Sequence, residues 1–142
     1  MRAQPLDELL RQESVEPYEA ARHYWLLCQW WRQHGQLAEQ PQYMPPMGVL
    51  AHEDGQPAAA CFLGRIEGTK VATLMHLVAN PELPRRHQSR GVHAAVGACV
   101  DAARREGMEI VYAETVKRYC VNGARRHGFR LIGPLWLIGV KL

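Results

Sequence analysis

The residues best suited to chemistry crowd into one stretch, 73–96, which reads TLMHLVANPELPRRHQSRGVHAAV. An apolar strand comes first. A basic loop follows with Arg85, Arg86, His87 and Arg90, and then a helix opens beside Gly91. The first turn of a helix has backbone N–H groups without intrahelical partners and the positive end of the helix dipole. Such a junction suits an anion, and a glycine there lets backbone approach a phosphate with no side chain in the way. The plainer reading is a solvated basic loop.

Acid–base chemistry has its own candidates. His76 is the only ionisable side chain in the strand 71–79. A neutral imidazole is a base near neutral pH. The competing reading is a core histidine whose ring nitrogens are satisfied by backbone or water. Glu114, at the end of the next strand, is the rival base, and Tyr112 and Tyr119 are the rival acids. Arg125, Arg126, His127 and Arg130, with Lys117 and Arg118, make a second basic cluster. It suits a phosphate or an acidic partner, or is a solvated helix face. Cys28, Cys61, Cys99 and Cys120 include no C-x-x-C, so neither a zinc ribbon nor a redox pair is expected, and no metal. Reduced, packed thiols fit a cytoplasmic location.

Elements must position these groups. Positions 5–12 fit a short helix with Pro5 first and acids in its first turn. A longer helix is expected over 17–33. There Tyr18, Ala21, Trp25 and Cys28 form one stripe and Tyr24, Leu27 and Trp31 its neighbour. Core packing on a sheet is the favoured reading, with a homodimer face or a pocket wall as alternatives. Gly35 closes this helix. Pro41, Pro45 and Pro46 make 36–47 an irregular loop, in which Tyr43 and Met44 either line a pocket or pack. A hairpin is expected over 48–63, turning at 53–57. The strand 71–79 is apolar on both faces, as a central strand should be. The helix after Gly91 places Val92, Val96, Cys99 and Ala103 on one face. A strand at 110–113, a helix at 116–127 and two strands within 129–142 follow. The expected class is α/β, a mixed central sheet flanked by helices with a helical N-terminal part.

The chain of 142 residues is expected to be one domain, with 1–47 as a helical region and 48–142 as the core. It is 47% apolar and 22% charged, and its net charge is +3. That suits a phosphate-bearing small ligand and is too weak to argue for nucleic acid by itself. The start has no apolar core of signal-peptide length, and no stretch approaches the ~20 apolar residues of a membrane span, so no membrane association is expected.

From 48 to 142, this order and these residues resemble the GCN5-related N-acetyltransferase (GNAT) family. The family's pattern is Gln or Arg, two residues, Gly, one residue, then Gly or Ala. Gln88 and Gly91 match it, and His93 stands at the last position. Gly128-Phe129 after a helix is the second marker. The run at 78–81 followed by a basic loop looks most like small, poorly characterised members, including some from bacteriophages. The resemblance implies a GNAT-like sheet and acetyl-coenzyme A as acyl donor. The N–H groups of Gln88, Ser89, Arg90, Gly91, Val92 and His93 would hold its diphosphate, with Arg85, Arg86 or Arg90 adding charge. Backbone near Leu77 and Val78 would pair with the pantetheine arm, and the fifth strand would splay away. His76 would lie near the reaction centre, so His76, Glu114 and Tyr119 are the catalytic candidates. One departure stands out: the usual catalytic Tyr position falls on Ala124. The implied activity is N-acyl transfer to the amine of a small molecule, a peptide or a modified base. The alternatives are a module that binds coenzyme A without turnover, or a nucleic-acid-associated protein using its basic clusters.

Overall fold

A computed structural model describes residues 14–114, 124–131 and 137–141. Among these, a seven-stranded sheet runs in the order β1-β2-β3-β4-β5-β7-β6. Its strands are β1 (Val15–Pro17), β2 (Met47–Glu53), β3 (Gln56–Arg65), β4 (Val71–Ala79), β5 (Ile110–Glu114), β6 (Arg130–Leu131) and β7 (Leu137–Lys141). Helix α1 (Ala20–Gln33) precedes β2, and helix α2 (Arg85–Arg105) links β4 to β5. Only β4 and β5 pair in parallel, because a whole helix is available to carry the chain back. The α/β class and the mixed sheet are as expected.

The hairpin turns on Asp54-Gly55, tighter than the 53–57 turn expected. Both residues have positive φ, 51° and 77°, which is the twist that joins neighbouring strands through two residues. β3 lies between β2 and β4, and Ala58 to Leu63 are all at most 2% exposed. Buried on both faces, this strand loses the polar alternation of a surface strand.

Among the described residues, each face of the sheet carries one helix. α2 covers β2, β3 and β4 with small residues: Gly91, Ala95, Cys99, Ala102 and Ala103 meet Ala59, Cys61 and Ala72. α1 covers the opposite face, where Leu27, Trp30 and Trp31 pack with Leu50, Phe62 and Val78. Its buried positions His23, Leu27, Trp30 and Trp31 follow helical spacing. The expected stripe of Tyr18, Ala21, Trp25 and Cys28 is corrected at its middle: Ala21 and Trp25 are exposed, Trp25 by 78%, while Cys28 is buried and Tyr18 packs against the core.

The N-terminal part is also corrected. It is not purely helical, since β1 pairs with β2 from Val15↔Ala51 to Pro17↔Val49. A carboxylate ties it down. Glu16 Oε2 accepts from His52 Nε2 at 3.1 Å, and Glu16 Oε1 lies 2.6 Å from His23 Nε2. His23 Nδ1 accepts the Glu19 N–H, so Nε2 carries the proton that faces Glu16. The expected helix at 5–12 and most of that at 116–127 lie outside the described residues.

Candidate functional site

β4 is the axis of the site. It pairs with β3 at both its ends, but with β5 only from Val71↔Ile110 to Leu74↔Ala113. Beyond Leu74 it runs on to Ala79, while β5 is described as far as Glu114 and pairs with β7 along its whole length, from Ile110↔Lys141 to Glu114↔Leu137. Leu77 and Val78 lie past the last β4–β5 pair among the described residues.

Just past that pair, the register of β4 against β3 slips. Phe62 faces Met75, but Ala60 faces Val78, so one extra residue is accommodated. His76 takes the strain with φ of 53°, a conformation that a non-glycine residue adopts at a cost of about 1–3 kcal/mol. The bulge puts Met75 and His76 on the same side of the sheet. The His76 ring meets Phe62 at 6.0 Å and Trp31 at 6.5 Å, both edge-on. Its Nδ1 lies 3.9 Å from Glu39 Oε2. Its Nε2 is buried and finds no hydrogen-bond partner among the described residues. Glu39, on the loop after α1, was not among the sequence candidates; no local pattern marks a loop acid that meets a strand 37 positions later.

α2 begins at Arg85, with Pro84 before it, so the helix does not open at Gly91. The N–H groups of His87 and Gln88 already bond to Pro84 O. Gln88, Ser89, Arg90, Gly91, Val92 and His93 are interior helical residues whose N–H groups serve the helix itself. The free donors of the first turn are those of Arg85 and Arg86. Gly91 is buried, and a Cβ there would stand 2.6 Å from Ala58 Cβ. It lets the helix pack closely on the sheet.

The side chains of this segment are similarly placed. Gln88 Nε2 donates to Leu83 O at 2.8 Å, which ties the helix to the loop before it. Arg90 pairs with Glu53 at 2.8 Å, and that bond holds its guanidinium pKa above the usual arginine value. His87 Nε2 lies 3.8 Å from Asp54. Arg85, Arg86 and Ser89 are exposed. Asn80, another residue without a sequence signal, latches the loop. Its N–H and Nδ2 donate to Ala58 O and Pro57 O, and its Oδ1 accepts from the Glu82 N–H.

The second cluster is less concentrated. His127 stacks on exposed His93 with ring centroids 4.2 Å apart. Burial, then the neighbouring His93, holds the His127 pKa below the ordinary imidazole value. Arg125, Arg126 and Arg130 are exposed, and Ala124 is buried against the core. Glu114 is the last residue of β5; its side chain and all of Tyr119 lie outside the described residues. Tyr112 is partly buried, and its carbonyl accepts from Thr73 Oγ1. Cys28, Cys61 and Cys99 are buried and free. Cys99 Sγ donates to Cys61 O, and that contact together with burial raises its pKa well above the ordinary thiol value, so it is inert.

A recess of about 180 Å³ lies elsewhere, between Tyr18, Ala20, Pro41 and Met44–Pro46, with no residue of β4 in its wall. Met44 lines it, and Tyr43 stands exposed outside. Among the described residues no three His, Cys, Asp or Glu side chains converge as a metal site, and no helix is long and apolar enough to cross a membrane.

No protein-family model and no curated protein sequence matches the chain. Solved structures do. A protein described as a probable GNAT-family acetyltransferase from Chromobacterium violaceum superposes with a TM-score of 0.69 at 16% identity, covering 93% of this chain and 90% of that one. N-acetylglutamate synthase from Neisseria gonorrhoeae, solved with coenzyme A and L-arginine, matches with a TM-score of 0.72 at 13% identity, over 91% of this chain and 33% of that one. The aminoglycoside 6'-N-acetyltransferase from Enterococcus faecium matches with a TM-score of 0.71 at 12% identity, over 91% and 97%. At these identities the likeness establishes the fold. It is the GNAT fold, as the motifs around Gln88 and Gly128 implied.

Proposed function

We propose that this GNAT-fold chain transfers an acyl group, acetyl in the first instance, from coenzyme A to the amine of a small molecule or peptide. The bulge at His76, just past the last described β4–β5 pair, carries the reading. A pantetheine arm is a chain of amides, and the backbone at Leu77 and Val78 suits strand-like pairing with it. The start of α2 lies at the end of the same loop. Its first-turn N–H groups and the exposed Arg85 and Arg86 suit the donor's diphosphate. This shifts the anion contact from Gln88–His93 to the turn before it.

In the reaction, the amine nitrogen bonds to the thioester carbonyl carbon and the C–S bond breaks. The amine's proton passes to the His76 ring, and the departing thiolate takes a proton from solvent. His76 keeps 18% of its side-chain surface, the opening by which an acceptor reaches it.

A second reading has its own observation. Ala124 is buried and stands where the family's tyrosine acid is usual, which favours coenzyme A binding without turnover. One experiment separates the two. Acetyl-coenzyme A should raise the melting temperature of the wild type and of His76→Gln alike, since a ligand that binds only the folded state stabilises it. Thiol release with a panel of primary amines should then fall by ~10²-fold in His76→Gln. No thermal shift at millimolar donor would sink the reading. Binding with no thiol release for any amine would favour the module without turnover.

A further inference from the structure

The recess between the start of α1 and the loop 41–46 lies in the same row of the sheet as the bulge. We infer that it is a subsite for one uncharged aromatic ring, so that the acceptor acylated by this protein is an arylalkylamine. The reaction comes from the transferase reading; the ring comes from the recess.

The register brings the two places level. The Tyr18 N–H donates to Gly48 O at 2.8 Å, just past the β1–β2 pair Pro17↔Val49. Gly48 pairs with Phe62 on β3, and Phe62 pairs with Met75 on β4, the residue before His76. Directly paired residues put their side chains on one face. That face lies under α1, where Phe62 packs with Leu27 and Trp31. Phe62 bridges the two ends of the row, meeting Tyr18 at 4.7 Å and His76 at 6.0 Å, both edge-on. A Cβ on Gly48 would stand 2.5 Å from Phe62 Cδ1, so the ring needs glycine there to lean over β2. Tyr18 and Met44 at one end and Met75 at the other pack on the same cluster and are only partly buried. A ligand thus finds apolar surface at both ends of the row.

The chemistry of the recess selects its occupant. Its volume is about 180 Å³, and a cavity of about 150 Å³ is enough for benzene. One six-membered ring therefore fits. Its wall is Tyr18, Ala20, Pro41, Met44, Pro45 and Pro46. None of these carries a charge near neutral pH; burial, then Cys28, raises the Tyr18 phenol further above its ordinary value. A charged group would lose water there without replacement, whereas a ring gains from leaving water. The Met44 sulfur and the Tyr18 ring favour an aromatic occupant over an aliphatic one. Three prolines fix their own φ in the wall, and Tyr24 Oη donates to Glu39 O at 2.9 Å, which ties the chain before them to α1. Little ordering is then lost on binding. No residue of β4 lines the recess, so it takes what the amine carries and not the amine.

The test reads the recess directly. The probes are phenylbutylamine and butylamine, titrated into the full chain with isotopically labelled methionine methyl groups. The signal lost in Met44→Leu assigns Met44. Phenylbutylamine should shift that signal through its ring current, and the Met108 signal, from the cluster under α2, should stay in place. Phenylbutylamine should bind at least ~10-fold more tightly than butylamine, the scale of burying one ring. Ala20→Leu enlarges an exposed wall residue at the first position of α1. It should remove the Met44 shift and leave the melting-temperature rise with acetyl-coenzyme A unchanged. A Met44 signal that stays in place at millimolar phenylbutylamine would overturn the subsite, and so would an undiminished shift in folded Ala20→Leu. Thiol release from acetyl-coenzyme A keeps the two readings apart. It should favour phenylbutylamine in the wild type and lose that preference in Ala20→Leu. If phenylbutylamine shifts Met44 but neither amine releases thiol, the transferase reading fails and the ring site stands. If both amines release thiol equally well, the transferase reading stands and the subsite falls.

Discussion

At the scale of single residues, His76 absorbs the slip between β3 and β4 in its own backbone. His76 was visible as the one titratable group in an apolar strand. Its positive φ was not, because a bulge arises from how two strands pair and not from the residue that absorbs it. Gly91 was visible as a glycine that needs to be one, but for the wrong neighbour. The partner is Ala58 on β3, not a phosphate. This makes a prediction. Alanine in a helix interior is favoured over glycine by about 1 kcal/mol. Against that, the new Cβ would meet Ala58 Cβ at 2.6 Å and the Ala58 carbonyl carbon at 3.2 Å, and a central strand cannot give way. Overpacking of this kind costs about 1–3 kcal/mol, so Gly91→Ala should be net destabilising, by about 1 kcal/mol in urea unfolding. A variant more stable than wild type would mean that α2 sits farther from β3.

At the scale of elements, the long ones were read well and the short or capped ones poorly. β4 matches its expected limits, since seven apolar residues among nine, ended by Asn80-Pro81, mark a buried strand. β1 is three residues long and ends in proline, too short to show any period. The start of α2 was misplaced because no Ser, Thr, Asp or Asn caps it; Pro84 precedes it, and proline near a first turn is the signal that was there to use. The correction changes which cations face a donor. Arg90 is committed to Glu53, whereas Arg85 and Arg86 stand exposed in the first turn, where the dipole favours an anion. Replacing both Arg85 and Arg86 by Gln should weaken acetyl-coenzyme A binding about tenfold, the loss of roughly 1.4 kcal/mol. Arg90→Gln should change the affinity less than about twofold, because its charge already has a partner. Calorimetric titration at low salt checks both. A larger effect at Arg90 than at the pair would return the anion contact to the turn around Gly91.

At the scale of the whole molecule, the order of strands and crossover was legible because periodicity and turn residues mark it, while the ties between distant segments were not. The stack of His127 on His93 is such a tie, joining the segment after residue 123 to the outer surface of α2. Its titration should be visible in global stability. The folded-state pKa of His127 lies below the ordinary value of 6.5, by burial first and by His93 second; Asp101 and a backbone hydrogen bond at His93 oppose the shift. In the unfolded chain the ring returns to that ordinary value. Above it, the ring is neutral in both states and the full stability is present. As pH falls through it, the unfolded state takes up the proton first, so stability declines until the folded-state pKa is passed and the loss levels off. His127→Gln keeps a polar group of similar size and removes the titration. Between pH about 7.5 and about 5, wild type should therefore lose more of its urea midpoint than the variant does, with the other histidines common to both. Equal losses in the two proteins would show that the stack does not hold the C-terminal segment against α2 in solution.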